Sequence, residues 1–200
     1  MPKQSNLPTT PEFNSESLLR KRSMRGFTLV ELLVVVAIVG ILLGASVPWV
    51  GTFADSMRLT SQANTYLSAL YLARSEAIKR NSRTTLCKSA DGLSCAANGG
   101  WHQGWIIFHD PNHNAAKEDT EVMVHQSPAL PTSFRLVGNP NVAKYVSFDG
   151  TGGTRLASGA FQAGTLTLCR QSASGGEARQ IVINSAGRPR VQKVVLATCV

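Results

Sequence analysis

The sequence predicts an α+β protein in which one long N-terminal helix, apolar and then amphipathic, packs on a C-terminal antiparallel β-sheet domain. Three observations carry that class. Residues 32 to 50 hold no charged side chain, apolar residues then recur at three- and four-residue intervals, and from Arg83 onward short strand-like runs are separated by Gly, Asn, Asp and Pro. The chain divides accordingly into a basic leader (1–26), a transmembrane-type helix (27–50), an amphipathic continuation (51–81) and a β-rich domain (82–200). No internal repeat interrupts this order.

A helix of roughly 20 residues spans the hydrocarbon core of a bilayer, so the charge-free run is long enough to cross. Leader residues Lys3, Arg20, Lys21, Arg22 and Arg25 outnumber Glu12 and Glu16. Basic residues beside a span hold that side in the cytoplasm, which puts the remainder outside. Met24 is an alternative start that would leave a short leader, and Gly44-Ala45-Ser46 offers small residues for a competing export-signal reading. After Trp49, the residues Phe53, Ala63, Tyr66, Leu67, Leu70, Ala73, Ala77 and Ile78 fall along one helix face. Pro48 favours a kink at or just before it, because it removes a backbone donor. The helix should end near Arg80 and Asn81, where basic residues suit its C-terminal dipole.

Eight strands are expected, over 84–88, 104–109, 121–125, 133–137, 145–148, 165–170, 179–184 and 191–197. The four cysteines allow three pairings. In an exported domain an even count points to bridges, and the favoured pairing joins Cys87 to Cys95 and Cys169 to Cys199. A zinc site is disfavoured because no Cys-x-x-Cys pair exists.

Glu31 is the one charge near the mouth of the apolar run, and a carboxylate there wants a partner. Arg25-Gly26-Phe27-Thr28-Leu29-Val30-Glu31 and the apolar run behind it resemble the processing site and N-terminal helix of type IV pilins and pseudopilins. The resemblance implies cleavage by prepilin peptidase between Gly26 and Phe27, N-methylation of Phe27, and pairing of Glu31 with a neighbouring subunit's terminal ammonium as a filament grows. It also implies residence in the inner membrane, with the C-terminal domain periplasmic, before assembly into a pilus with other pilin subunits.

Formal charge is +8; setting aside the leader's five basic and two acidic residues leaves 15 against 10, or +5. Much of the excess falls late, in Arg170, Arg179, Arg188, Arg190 and Lys193 against Glu177 alone. Clustered cations are the electrostatic footprint of a polyanion-binding surface. Asn184-Ser185-Ala186-Gly187-Arg188-Pro189-Arg190 lies between two strand-like runs and reads as a hairpin tip, with Gly187 free to take positive φ and Pro189 restricting Arg188. Guanidinium groups held this way bind phosphate through paired hydrogen bonds without reading sequence.

With Gly-Trp-Ile-Ile-Phe-His-Asp-Pro-Asn in the β-rich domain and Gly187-Arg188-Pro189-Arg190 at its end, residues 24–200 are similar to the FimT/GspH family of minor pilins and pseudopilins. In some FimT-type members a C-terminal Gly-Arg-x-Arg marks a DNA receptor for natural transformation. The resemblance thus implies DNA binding by Gly187, Arg188 and Arg190, to which the clustered charge adds Lys193 and Arg179, with sequence-independent DNA as partner. The alternative is a structural subunit, either a type II secretion pseudopilin or an assembly-priming minor pilin.

Asp110, Asn112, Asn114, Glu118, Asp119 and Glu121 superficially suggest a calcium loop, but the spacing fails the EF-hand pattern and Asx-turn chemistry suffices. His102, His109, His113 and His125 have no converging spacing, and no nucleophile motif or phosphate loop is present. No metal, cofactor or catalytic residue is therefore expected. Trp101 and Trp105 are expected to pack against the helix.

Overall fold

The computed structural model describes residues 26–171 and 175–199, without the side chains of 45–50 and 52. The leader, including the basic residues up to Arg25, lies outside the described residues. Two compact units divide at Val47 and Pro48.

The first unit is the opening of helix α1, Leu29–Arg80. Thr28 caps it: its Oγ1 accepts the Glu31 N–H at 3.2 Å, and its carbonyl accepts Leu32 N–H. Thr28-Leu29-Val30-Glu31 thus forms half of a capping box, the Ser/Thr-x-x-Glu device that satisfies orphan donors at a helix start. Large apolar side chains from Phe27 to Leu43 are exposed on every side, as expected of a helix meant for lipid or for neighbouring helices. Among the described residues no helix is long and apolar enough to cross a membrane. The membrane-spanning role of 27–50 stands as an expectation of the sequence. The helix does not melt at Pro48.

In the second unit α1 buries Leu59, Ala63, Tyr66, Ala69, Leu70, Ala73 and Ala77, a stripe of three- and four-residue steps dominated by small residues that admit close approach of the strands. Two residues assigned to that face, Phe53 and Ile78, are instead exposed, and Leu59 and Ala69 complete it. The helix ends as expected: Asn81 adopts φ 47°, and Ser82 N–H reaches back to the Ala77 carbonyl, the Schellman arrangement that satisfies terminal carbonyls.

The strands are β1 (Thr84–Lys88), β2 (Trp105–His109), β3 (Met123–Ser127), β4 (Phe134–Gly138), β5 (Tyr145–Phe148), β6 (Gly164–Arg170), β7 (Gly176–Ile183) and β8 (Arg190–Leu196). They form two antiparallel sheets, ordered β3-β2-β1-β5 and β4-β6-β7-β8. The inner faces, with Leu86, Ile107, Val146 and Phe148 from the first and Leu136, Leu166, Leu168, Ile181 and Ile183 from the second, share one core with the helix stripe. Trp101 and Trp105 lie within it, edge-on to Tyr66, and the Trp101 indole donates to the Val142 carbonyl at 2.9 Å. The disulfides are Cys87–Cys95 and Cys169–Cys199, the favoured pairing.

Candidate functional site

Strands β7 and β8 form a hairpin that ends the described chain, with Val182 opposite Arg190 and Arg179 opposite Lys193. Its tip, residues 184–189, is held at three places. Asn184 closes it from within, its carbonyl accepting Gly187 N–H at 3.0 Å and its side chain accepting Arg188 N–H at 3.0 Å. Thr154 grips it from the neighbouring loop, donating its N–H to the Ser185 carbonyl at 3.1 Å, with its hydroxyl shared between the carbonyls of Gln162 at 2.6 Å and Asn184 at 2.9 Å. Tyr71 of α1 donates its hydroxyl to the Pro189 carbonyl at 3.2 Å.

Gly187 is buried, with φ 69°, and a Cβ added there would lie 1.9 Å from the Gly152 carbonyl oxygen. Two constraints therefore demand glycine, a left-handed backbone and the approach of another main chain. Arg188 and Arg190 bracket buried Pro189 and are both exposed. The sequence pattern is thus realised as an anchored turn carrying two outward guanidinium groups.

The remaining late cations are differently placed. Arg170 pairs with Asp55, and Lys193 with Glu177. Arg179 points at α1, its side chain only 7 % exposed, donating to Ser56 Oγ at 3.0 Å and Thr60 Oγ1 at 3.1 Å beside Glu177 at 3.4 Å. The Lys193 ammonium, the Ser56 hydroxyl and the Arg179 charge hold the Glu177 carboxyl below its ordinary range. Arg179 is consequently withdrawn from the candidate polyanion surface; strand parity turns it to the helix, a distinction invisible to a count of charges. Lys193 is exposed, but it shares Arg179's face of the sheet, opposite that of Arg190. Among the described residues neither Arg188 nor Arg190 has a carboxylate partner.

The Asp110 loop is built as Asx-turn chemistry. Asp110 is fully buried and accepts Asn114 N–H, Ala115 N–H and the Thr85 hydroxyl, leaving no carboxylate oxygen unbonded. Burial raises the Glu121 carboxyl above its usual value. Among the described residues no group of His, Cys, Asp and Glu is arranged to hold a metal ion. A cavity of about 580 Å³ opens where Asp55 and Leu59 of α1 face Arg170, Glu177 and Cys199; its charged lining consists of the ion pairs already named.

Comparison with known proteins fits this architecture. The family model described as Type II transport protein GspH matches residues 62–187, and that of the prokaryotic N-terminal methylation motif matches 21–47. The pilin-like protein PilA1 of Thermus thermophilus is 28 % identical over 176 residues, 84 % of this chain and 98 % of its own. The crystal structure of the type IV minor pilin FimU of Pseudomonas aeruginosa has the same fold, with TM-score 0.54 and 16 % identity over 74 % of this chain and 99 % of FimU. Arg188 and Arg190 lie just past the GspH match, so they are characters of this chain that the match does not describe. The matched regions take in the methylation motif, the packed half of the helix and seven of the eight strands, and the chain belongs to the GspH family, as a type IV minor pilin or pseudopilin.

Proposed function

We propose that this minor pilin binds DNA without sequence preference through Arg188 and Arg190, presented by the β7–β8 tip, and takes part in DNA uptake during natural transformation. One observation carries the reading: the two arginines are exposed on a turn anchored at three points, with no carboxylate partner among the described residues, whereas Arg170, Arg179 and Lys193 are all paired. An anchored turn lowers the entropy of ordering two long side chains on a phosphate backbone. Gly187 supports the turn and Lys193 adds long-range field only.

The filament half of the proposal follows from family membership. Processing between Gly26 and Phe27, methylation of Phe27 and pairing of Glu31 with a neighbour's ammonium would bring the subunit from the inner membrane into a pilus, its C-terminal domain first periplasmic and then at the cell surface. No enzymatic step is invoked.

The test is titration of the full chain, in nonionic detergent, into duplex DNA of arbitrary sequence. Arg188→Ala with Arg190→Ala should weaken binding at least tenfold and flatten the salt dependence by about 1.8 in log–log slope, about 0.9 per phosphate contact, at unchanged thermal midpoint. Unchanged affinity at low salt overturns the reading. A second reading is favoured by the description of the matched model, a type II transport protein: a secretion pseudopilin. Deleting the gene separates them, since lost protein secretion with normal transformation selects the second.

A further inference from the structure

Resting on the nucleic-acid reading, we propose that Arg74 of α1 is a third phosphate contact at the β7–β8 tip, in addition to Arg188 and Arg190, so that helix and hairpin share the polyanion surface. Two contacts bracket Arg74 against the tip. Its Nε donates to the Gly152 carbonyl at 3.0 Å, the same oxygen that would lie 1.9 Å from a Gly187 Cβ. Tyr71, one helical turn earlier on the same face, bonds the Pro189 carbonyl. Arg74 is therefore seated on the loop that packs against Gly187, one helical turn from the residue that bonds Pro189.

Its chemistry suits that place. Arg74 is half-buried, and its aliphatic stem and Nε are fixed by the Gly152 bond. Its two terminal nitrogens have no partner among the described residues, yet are not sealed from solvent. A guanidinium immobilised through Nε with both Nη groups open is organised in advance for a phosphate, and its planar fork takes two oxygens at once. Ser75 and Tyr71 beside it are exposed, and among the described residues Arg74, like Arg188 and Arg190, has no carboxylate partner. The 114 and 116 positions that separate Arg74 from Arg188 and Arg190 explain why no local motif contains it.

The competing role is a brace for the 149–153 loop, and the experiment separates the two. The full chain in detergent is titrated into a duplex of arbitrary sequence across a potassium chloride series. Arg74→Gln should weaken binding three- to tenfold and reduce the log–log salt slope by about 0.9, while Arg74→Lys, which keeps the charge but not the Nε bond, should retain the slope. A purely bracing residue would instead give equal thermal destabilisation in both variants with the slope unchanged, and that result overturns the proposal. Independently of folding, DNA should shield Arg74 of the wild-type chain from an arginine-selective dicarbonyl reagent as it shields Arg188, read by peptide mass spectrometry; full reactivity of Arg74 in the complex also overturns it. If Arg188→Ala with Arg190→Ala leaves binding intact, the nucleic-acid reading itself fails; if that pair abolishes binding and Arg74→Gln keeps the wild-type slope, only the third contact is refuted.

Discussion

The two sheets begin from similar strands and end in opposite surroundings. In the β3-β2-β1-β5 sheet both faces are buried: the inner on the helix, the outer in a second cluster of Cys87, Ile106 and Phe108 with Cys95, Met123 and Tyr145. Thr85, Asp110 and Ser147 complete that outer face as a hydrogen-bonded network, Thr85 lying 2.7 Å from Asp110 and 2.9 Å from Ser147. The β4-β6-β7-β8 sheet buries its inner face, while on the other the buried Cys169 and Ala178 at one end give way to Thr165, Thr167, Gln180, Gln192 and Arg190. A sheet enclosed on both sides serves as scaffold. One left open on a face, with its last hairpin at the edge, can present side chains to a partner.

Matched truncations sharpen the contrast. Phe108→Ala, on the enclosed outer face, should cost about 3–5 kcal/mol, read as a lowered denaturant midpoint with unchanged slope; a cost below about 1 kcal/mol would mean that the covering loops are not packed. Next in size are the bridges, each in the general range of 2–4 kcal/mol. Chain entropy makes the loop closed by Cys169–Cys199, separation 30, worth about 1 kcal/mol more than that closed by Cys87–Cys95, separation 8. Paired Cys→Ala variants measured by thermal melting check this, and a larger loss at Cys87–Cys95 would show burial, not loop length, to dominate. Gln180→Ala on the open face should change stability by less than about 0.5 kcal/mol; a larger loss would show that its bond to Gln192, 2.8 Å long, does more than decorate the surface.

Much of this fold is readable without coordinates. β1 and β5 fall where the breakers put them, and the other six strands shift by one to three residues at their ends, because Gly, Pro and Asx residues mark turns by local chemistry. The helix terminus at Arg80 and the disulfide pairing were equally accessible. What resisted is non-local. Arg179 and Arg190 look alike in a charge count, and only strand register turns one toward Ser56 and the other toward solvent. Phe53 and Ile78 obey the helical period yet are exposed. Tyr71 joins the hairpin directly and Arg74 through loop 149–153, contacts that no spacing rule encodes. The Thr28–Glu31 cap is the reverse case, a local Thr-x-x-Glu pattern that the sequence carries in full.

That cap has a consequence for polymerisation. Processing at Gly26 would leave a fresh cation on Phe27, directly ahead of the capped turn, at the end of the rod where unpaired N–H groups already make the potential positive. In an isolated subunit the first-turn acid available to offset that charge would be its own Glu31. Another subunit's acid docked against the terminus would add a second, so the same short stretch that starts the helix would also make solitude the less favourable state.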